Sequence, residues 1–270
     1  MDIKNILTIA GSDSIGGAGI QADLKTITSY KYYGMSAITA ITAQNTMGVQ
    51  SSLDIEKGML RDQLISICED VLPDAVKIGM VANHQQVEVI SEIIDKYLRD
   101  IPIVLDPVIT STSGFNLTPN ATVEKMEEIL FDKITLITPN IIEAGIIYGK
   151  KIEKLEEMKE AAKILYERYN TAVLIKGGHL KNSKDDVLFD KAGLSVIKGE
   201  NIDNENTHGT GCTLSSAITC ELASGKSLYD AVFSAKKYLT GAIAFGFDIG
   251  KGRGSLYHMY NLRDKNENKL

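Results

Sequence analysis

Residues 6–19 read ILTIAGSDSIGGAG, an apolar run that passes directly into a glycine-rich loop. The run is too short for a helix and is rich in residues that favour strands, so it predicts a buried strand. A helical pattern of apolar residues follows over residues 21–30. A buried strand that leads through a loop into a helix is the repeating unit of a parallel α/β sheet. This stretch therefore predicts the first such unit of the fold.

The same alternation continues to the end of the chain. Apolar runs predict further strands at residues 36–43, 75–78, 102–105, 134–138 and 172–175, and a hairpin across 187–197. Helical patterns lie at residues 60–71, 85–98, 121–130, 141–148, 155–169, 212–223 and 227–245. Strands that are apolar throughout predict a mostly parallel sheet covered by helices on both faces, an α/β fold. We expect one domain over residues 1–270, with a loosely ordered polar tail from residue 252.

The composition is that of an ordinary soluble globular protein. Of 270 residues, 44% are hydrophobic and 24% charged, and the net charge is -6. An acidic chain is not expected to bind nucleic acid or anionic membranes. No apolar stretch approaches the roughly 18 residues of a membrane helix, and the first residues do not resemble a signal peptide. Three cysteines without paired spacing argue against disulfides and zinc, so we expect a cytoplasmic protein.

Polar and glycine residues follow almost every predicted strand. In open parallel sheets, ligands bind beyond the carboxyl ends of the strands. The residues at those ends are Gly11-Ser12-Asp13, Gln44-Asn45, Gly79-Met80, Asp106-Pro107, Pro139-Asn140 and Lys176-Gly177-Gly178. We therefore expect a ligand site along this edge of the sheet.

Residues 206–212 read NTHGTGC and lead into the helix predicted at 212–223. The first N–H groups of a helix have no partners, and the helix dipole favours negative charge there, so this loop predicts a phosphate site. Cys212 stands at the helix start, where the same field would favour a thiolate. Two other interpretations remain open for Cys212. It could be a buried small hydrophobe, or the nucleophile of a hydrolase with His208 or His179.

Four further residues carry charge near the predicted edge. Asp106 and Glu143 are carboxylates of the kind that magnesium prefers, although a turn and the first turn of a helix also account for them. Lys176 could neutralise a phosphate or be solvated. Asp23 lies one turn into the first helix, where it could accept a hydrogen bond from a ligand held by the glycine-rich loop.

Several blocks of the sequence, in this order, are similar to one enzyme family. They are LTIAGSDS (7–14), GGAGIQADLKT (16–26), TAQNT (42–46), VKIGM (76–80), VLDPV (104–108), TPN (138–140), KGGH (176–179) and THGTGC (207–212). On these blocks the chain resembles the hydroxymethylpyrimidine/phosphomethylpyrimidine kinases of thiamine biosynthesis, in the ribokinase-like superfamily. The resemblance implies a three-layer α/β/α sandwich, a homodimer, and ATP and Mg²⁺ as cofactors.

The resemblance also implies a reaction and its residues. The reaction is ATP-dependent phosphorylation of 4-amino-5-hydroxymethyl-2-methylpyrimidine and then of its monophosphate to the diphosphate. The residues implied for the pyrimidine are Gly11, Ala18, Met80 and Val108, with Asp23 and Gln44 at its polar edge. Those implied for ATP are Asn140, Lys176, Thr207 and Gly209, with magnesium near Asp106 and Glu143. Those implied for an anion hole at the transferring phosphoryl group are Gly209, Thr210, Gly211 and Cys212.

Cys212 takes the place of the aspartate that serves as base in most ribokinase-like enzymes. The resemblance implies that its thiol accepts the hydroxyl proton. With an ordinary pKa near 8.5, the thiol would need the helix dipole to act as a base at neutral pH. The chain departs from the common family pattern at Thr112, where a lysine is usual, and at Phe115, where an acidic residue is usual. Both departures concern the efficiency of the second phosphorylation, because they lie in the loop that would close over the second phosphate.

Other functions remain possible on the sequence alone. A pyridoxal or pyridoxine kinase of the same superfamily is the nearest alternative, although Gln44 in its Ala-Gln-Asn-Thr context favours the pyrimidine. A ligand sensor with a kinase fold would retain the pocket without catalysis. A cysteine hydrolase would use Cys212 as the nucleophile.

Overall fold

The computed structural model of the chain describes residues 3–110, 117–178, 180, 183–204 and 206–262. Within these residues, nine strands form one sheet. The strands are β1 Asn5–Asp13, β2 Tyr33–Asn45, β3 Gly48–Asp54, β4 Ala75–Ile78, β5 Ile103–Leu105, β6 Leu136–Ile137, β7 Ala172–Ile175, β8 Asp186–Asp190 and β9 Gly193–Ile197. The helices are α1 Gly19–Ser29, α2 Lys57–Asp70, α3 His84–Ile93, α4 Asn120–Ile129, α5 Ile141–Tyr148, α6 Leu155–Tyr169, α7 Thr210–Ala223 and α8 Leu228–Ala244.

The sheet is mostly parallel, as predicted. Its strand order is β3-β2-β1-β4-β5-β6-β7-β8-β9. The six strands from β2 to β7 in this order pair in parallel, while β3, β8 and β9 pair antiparallel at the two edges. The sequence did not reveal β3, because this edge strand is mostly exposed and carries no apolar run.

Helices cover both faces of the sheet and bury two apolar layers. The alternate residues Leu7, Ile9, Val76 and Ile78 belong to the core formed with α2 to α6. On the other face, Val104, Leu136 and Leu174 pack with apolar residues of α7 and α8. The structure thus confirms the expected α/β/α sandwich.

The tail predicted to be loosely ordered from residue 252 is described as far as residue 262, and residues 263–270 lie outside the described residues. Leu256 and His258 are buried, and the His258 ring lies 3.0 Å from the Thr213 hydroxyl of α7. Residues 253–262 therefore pack on the fold, because scattered apolar and aromatic residues in them meet α7 and α8. In the part of the chain that the structure describes, no helix has the length and apolar character required to cross a bilayer.

Candidate active site

A cleft of about 540 Å³ runs along the carboxyl edge of the parallel strands. With one exception, Asp23, every site residue predicted from the sequence lines it. The lining residues that were predicted are Gly11, Ala18, Gln44, Met80, Asp106, Val108, Asn140, Glu143, Lys176, Thr207, Gly209, Thr210, Gly211 and Cys212. The rule that ligands bind beyond strand ends thus located the cleft correctly. Thr112, Phe115 and His179 lie outside the described residues.

The glycine-rich loop, residues 11–19, is shaped by the side chain of Asp13. Its Oδ2 accepts hydrogen bonds from the backbone N–H groups of Gly17 (3.0 Å) and Ala18 (2.8 Å). Its Oδ1 accepts one from Ile15 at 3.1 Å. Burial alone would raise the pKa of Asp13, but the hydrogen bonds from His208 and Ala18 outweigh burial and lower it. Asp13 is therefore an ionised organiser of the loop.

The anion loop, residues 206–212, lies against the glycine-rich loop in backbone contact. Gly209 has φ +82°, and a Cβ atom there would lie 1.8 Å from the carbonyl oxygen of Gly17. A Cβ atom on Gly17 would in turn lie 2.2 Å from Cδ2 of His208. His208 Nε2 lies 3.0 Å from Asp13 Oδ2, so a side-chain contact joins the two loops as well. Only glycine fits at Gly209, where the φ angle is positive and the clash is with backbone, whereas a side chain at Gly17 would have to displace the His208 ring.

Helix α7 begins at Thr210, and the Thr210 N–H donates to the Thr207 carbonyl at 3.4 Å. Within the described residues, no side chain caps this helix, and residues 209–212 all line the cleft. The first N–H groups of a helix lack partners inside it and can bind an anion. The start of α7 therefore has the chemistry of an anion hole.

The thiol of Cys212 is not the thiolate that the helix field led us to expect. Burial raises the pKa of Cys212 to about 11. The charge of Lys77 lowers this pKa, but the carboxylates of Asp23 and Asp106 raise it. The thiol is thus protonated at neutral pH, because desolvation exceeds the attraction of the helix start.

Lys176 forms an ion pair on the cleft floor rather than a solvated side chain. Its Nζ donates to Asp106 Oδ1 at 2.6 Å, and the Thr138 hydroxyl donates to the same oxygen at 3.1 Å. Burial alone would lower the pKa of Lys176, but the carboxylates of Asp106 and Glu143 raise it. A Cβ atom on Gly211 would lie 3.2 Å from Asp106 Oδ2 and 3.4 Å from Lys176 Nζ. The ion pair therefore adjoins the anion loop.

Glu143 both caps helix α5 and lines the cleft. The Asn140 side chain accepts hydrogen bonds from the N–H groups of Ile142 and Glu143, at 2.9 and 3.0 Å. Glu143 Oε2 accepts one from the Asn140 N–H at 2.8 Å, which completes a capping box. Burial raises the pKa of Glu143 to about 7, with Lys176 opposing and Asp106 adding to the rise. The two interpretations of Glu143 from the sequence are therefore compatible.

The two carboxylates Asp106 and Glu143 fit a magnesium ion only together with further ligands. Among the described residues, no group of three or more His, Cys, Asp and Glu side chains could hold a metal. Magnesium is usually held by one or two carboxylates, water and the phosphates of its substrate. Both carboxylates are buried on the cleft floor, where they would gain from a divalent cation. The donor set thus fits a magnesium ion that arrives with a nucleotide.

Asp23 does not reach the cleft, which corrects its assignment as a ligand-contacting residue. Its carboxylate is fully buried and accepts hydrogen bonds from Lys77 at 3.0 and 2.8 Å. Sequence reasoning missed Lys77. The signal was present, since a lysine inside the apolar strand β4 requires a buried partner. The carboxylate that contacts the glycine-rich loop is Asp13 instead.

Gln44 lies at the end of β2 on the glycine-rich side of the cleft. Its Nε2 lies 3.3 Å from Nε2 of His208, and its backbone N–H and C=O both bond the Ser14 hydroxyl. The side chain therefore stands between the glycine-rich loop and the anion loop. Met80 lies on the same side, with its sulfur 3.0 Å from the Cβ position of Gly11.

Sequence reasoning also missed an ion pair at the far wall of the cleft. Asp186 Oδ1 accepts a hydrogen bond from the Gly177 N–H at 2.8 Å, and Lys236 of α8 pairs with Oδ2. Both side chains line the cleft. Strand β8 is antiparallel to β7, so its amino end lies at the carboxyl edge of the parallel strands. A rule that considers only the carboxyl ends of strands therefore does not find Asp186.

Comparisons with known proteins agree with this geometry. The family model for phosphomethylpyrimidine kinase matches residues 13–257. A hydroxymethylpyrimidine/phosphomethylpyrimidine kinase of Staphylococcus aureus (strain MRSA252) is 40% identical over 264 residues, covering 96% of this chain and 95% of the relative. The bifunctional protein ThiED of Geobacter sulfurreducens is 42% identical over 96% of this chain. The chain spans only about half of that relative, 53% of its length.

Two solved structures show the same fold. Phosphomethylpyrimidine kinase from Clostridium difficile 630 is 44% identical, with a TM-score of 0.79 over 89% of this chain and 99% of that one. Pyridoxal kinase from Staphylococcus aureus, in complex with AMP-PCP and pyridoxal, is 32% identical, with a TM-score of 0.89 over 97% and 96%. On the family model and the relatives of similar length, the chain belongs to the phosphomethylpyrimidine kinase family.

Proposed function

We propose that this chain phosphorylates 4-amino-5-hydroxymethyl-2-methylpyrimidine with ATP, and then converts the monophosphate to the diphosphate, in thiamine biosynthesis. The observation that carries the proposal is the pairing of two loops across one cleft. The glycine-rich loop with Gln44 and the anion loop with Lys176 line the same cleft and contact each other at Gly17 and Gly209. Relatives of the same length that carry this name are about 40% identical.

The pyrimidine would lie on the side of the glycine-rich loop. The surface of the cleft there would be largely apolar, formed by Gly11, Ala18, Met80 and Val108. The Gln44 amide both donates and accepts hydrogen bonds, which suits the donor and acceptor edge of an aminopyrimidine. Asp23 has no part in this binding, because its carboxylate is occupied below the cleft.

The nucleotide would lie along the other side of the cleft, against Asn140, Lys176, Thr207 and Gly209. Asp106 and Glu143 would hold magnesium, directly or through water. When bound, magnesium would neutralise charge on the phosphate oxygens during transfer. Lys176 adds a fixed positive charge next to the anion loop.

Transfer requires positioning more than covalent chemistry. The hydroxymethyl oxygen attacks the γ-phosphorus of ATP, and the bond from that phosphorus to the β–γ bridging oxygen breaks, so ADP leaves. The N–H groups of residues 209–212 would face the charge on the transferring group. Because the transition state is loose, little is asked of the base, and positioning with charge neutralisation supplies most of the rate.

We propose Cys212 as the acceptor of the hydroxyl proton. Its pKa of about 11 makes the thiolate a minor species at neutral pH, so kcat is expected to rise with pH through the alkaline range. Replacing a general base typically costs about 10²- to 10⁴-fold, so Cys212→Ser should lie near the lower end of that range. Cys212→Asp restores a base. A serine variant with wild-type kcat would remove the base role and leave the anion hole intact.

A coupled assay that measures ADP formation tests the proposed function. The hydroxymethylpyrimidine, its monophosphate and pyridoxal are compared in parallel with ATP and Mg²⁺. We expect turnover of both pyrimidines, with kcat/KM above that for pyridoxal. Failure to form ADP with any of the three would favour a ligand sensor with a kinase fold.

Pyridoxal phosphorylation is the second candidate, and one observation favours it. The TM-score with the pyridoxal kinase of Staphylococcus aureus is 0.89, above the 0.79 found with the Clostridium difficile enzyme. A preference for pyridoxal of about tenfold or more, roughly 1.4 kcal/mol in transition-state binding, would replace the pyrimidine proposal.

We further propose a homodimer with residues 1–270 as one kinase domain. The exposed edge supports a dimer, since Ile41 of β2 and Leu53 of β3 pair across strands yet are 49% and 67% exposed. The continuous nine-stranded sheet supports a single domain. Three free cysteines are consistent with the reducing cytoplasm, and the net charge of -6 argues against nucleic acid as a partner. Light scattering of the purified protein would test the dimer.

A further inference from the structure

A polar cluster beneath the cleft touches no substrate in the chemistry proposed above, although two of its charges, Lys77 and Asp23, act on the pKa of Cys212. It consists of Thr8 on β1, Asp23 on α1, Lys77 on β4 and Ser216 on α7. All four side chains are fully buried, and none of them lines the cleft. A ligand in the cleft therefore does not touch this cluster.

The carboxylate of Asp23 is the centre of the cluster. Its Oδ1 accepts hydrogen bonds from the Ser216 hydroxyl at 2.8 Å and from Lys77 Nζ at 3.0 Å. Its Oδ2 accepts from Lys77 Nζ at 2.8 Å and from the Thr8 hydroxyl at 2.6 Å. With donors on two sides of each oxygen, the carboxylate has one well-defined position.

Stability alone does not account for this cluster. Well-packed apolar residues of similar volume often stabilise a fold as well as a buried ion pair or better. The surrounding layer is apolar, since Ile6 and Ala75 on the same face pack with Ile27 and Cys220. The charged cluster instead fixes how the helices and strands are placed relative to one another, because hydrogen bonds have a preferred geometry between the elements that they join.

Each element joined by the cluster leads into the cleft. Strand β1 continues into the glycine-rich loop, and α1 begins at the end of that loop. Strand β4 is followed by Met80, and α7 begins at the anion loop. The backbone N–H of Gly19 at the start of α1 also acts on Cys212, whose pKa it lowers. Gly209 packs directly against the backbone of Gly17. A shift of α7 relative to α1 would therefore change this contact and move the N–H groups of the anion hole.

We propose that the Ser216–Asp23–Lys77 cluster positions the anion hole. It holds α7 against α1 and β4, so that the N–H groups of residues 209–212 face the transferring phosphoryl group. This inference rests on the proposed function, because the group that is positioned acts on that phosphoryl group. Asp23, Lys77 and Ser216 are positioning residues in this scheme and do not touch the substrate.

Ser216→Ala is the most conservative test, since it removes one hydroxyl and leaves the ion pair in place. Small misplacements far from the reacting atoms are costly, so kcat is expected to fall by about 10- to 100-fold while KM for the pyrimidine changes much less. Amide hydrogen exchange at residues 209–212, measured without ligands, should become faster in the same variant. Asp23→Asn keeps the shape of the side chain and should change both quantities in the same direction.

Thr219→Val is the matched control. Thr219 is fully buried one turn further along α7, and its hydroxyl donates to the Ser215 carbonyl of the same helix at 2.8 Å. It joins α7 to no other element through this bond, so kcat and exchange at residues 209–212 should stay near wild type. Wild-type kcat and exchange in Ser216→Ala would overturn the proposal, as would equal losses in Thr219→Val. If the wild type phosphorylates none of the substrates, the proposed function fails, while the exchange comparison still decides the positioning role.

Discussion

Two Lys–Asp pairs, Lys77–Asp23 beneath the cleft and Lys176–Asp106 on its floor, differ first in their access to the cleft. Lys77 and Asp23 have side chains that are 0% exposed. Lys176 and Asp106 are 14% and 3% exposed, and both line the cleft. The first pair is surrounded by its own hydrogen-bond partners, whereas the second leaves its lysine facing the space where a nucleotide would lie. Identical side chains thus join elements of the fold in one place and, in the proposed function, face the nucleotide in the other.

The difference between the pairs lies in what remains for a ligand to satisfy. Besides Lys77, two protein hydroxyls, those of Thr8 and Ser216, donate hydrogen bonds to Asp23. Among the residues that the structure describes, the one hydroxyl that donates to Asp106 is that of Thr138, on the oxygen that Lys176 already holds. A buried carboxylate with an oxygen that accepts no hydrogen bond is stabilised by a bound cation, whereas a carboxylate whose two oxygens are both hydrogen-bonded is not. Access to the cleft and unused hydrogen-bonding capacity of the carboxylate together distinguish the two pairs. We call Lys77–Asp23 the closed pair and Lys176–Asp106 the open pair. The first test removes a charge from the closed pair.

Removing Lys77 is expected to have the largest effect. Lys77→Met leaves the Asp23 carboxylate buried without its cation, which typically costs about 3–5 kcal/mol in the free energy of unfolding. Urea unfolding followed by circular dichroism measures this loss. Combining the change with Asp23→Leu should recover much of it, since no unpaired charge then remains. A loss below about 1 kcal/mol in the single variant would contradict the description of a closed, charged pair.

Removing Lys176 should instead affect the reaction more than the fold. Losing one group that stabilises transition-state charge costs about 10²- to 10³-fold in kcat, so Lys176→Met is expected in that range. Its loss of unfolding free energy should be smaller than that of Lys77→Met, because water in the cleft reaches Asp106. Steady-state kinetics and urea unfolding are both required. Lys191→Met, at an exposed turn, serves as the control. Equal destabilisation by both lysine changes would erase the distinction between the pairs.

The open pair also predicts a pH dependence through its neighbour Glu143. Burial raises the pKa of Glu143 from 4.5 to about 7, so the folded state binds its proton more tightly than the unfolded state does. The resulting stability is fully present below about pH 4.5 and is lost as the pH rises through about 7. Glu143→Gln should lack this part of the dependence. Unfolding free energies measured from pH 4.5 to 8 without nucleotide test this, and parallel curves for the two proteins would refute it.

An exposed pair should show the smallest effect. Arg61 and Glu92 form an ion pair with side chains that are 41% and 61% exposed. Solvent screens such pairs, so Arg61→Gln is expected to change the free energy of unfolding by less than about 1 kcal/mol. The change should shrink further when salt is added to the urea titration. A loss approaching that of Lys77→Met would mean that burial does not govern these pairs.

Prediction from the sequence succeeded where a local pattern carries the information. The apolar runs and helical periods located strands such as Ala75–Ile78 and helices such as Leu155–Tyr169 with the same bounds that the structure has. Polar residues at strand ends identified the cleft, because parallel strands bring their carboxyl ends to one edge. The exposed strand β3 and the residue Asp186 were missed, since neither follows an apolar run toward that edge.

Prediction failed where the outcome depends on neighbours that are distant in sequence. Asp13 and Asp23 both lie next to the glycine-rich loop, and the sequence favoured Asp23 as the ligand contact. The structure turns Asp23 toward Lys77 and Ser216, and leaves Asp13 to hold the loop and His208. The pKa of Cys212 likewise depends on burial and on the charges of three residues distant in sequence, Lys77, Asp23 and Asp106.

Local patterns in the sequence were sufficient to predict the α/β fold, the sheet edge that carries the cleft and the family. Periodicity and motifs encode these features locally, within one strand, one loop or one helix start. Which lysine and which aspartate face the cleft, and whether Cys212 is protonated, depend instead on how the chain folds. Burial and partner charges set those properties, and both arise only when segments far apart in the chain are packed together.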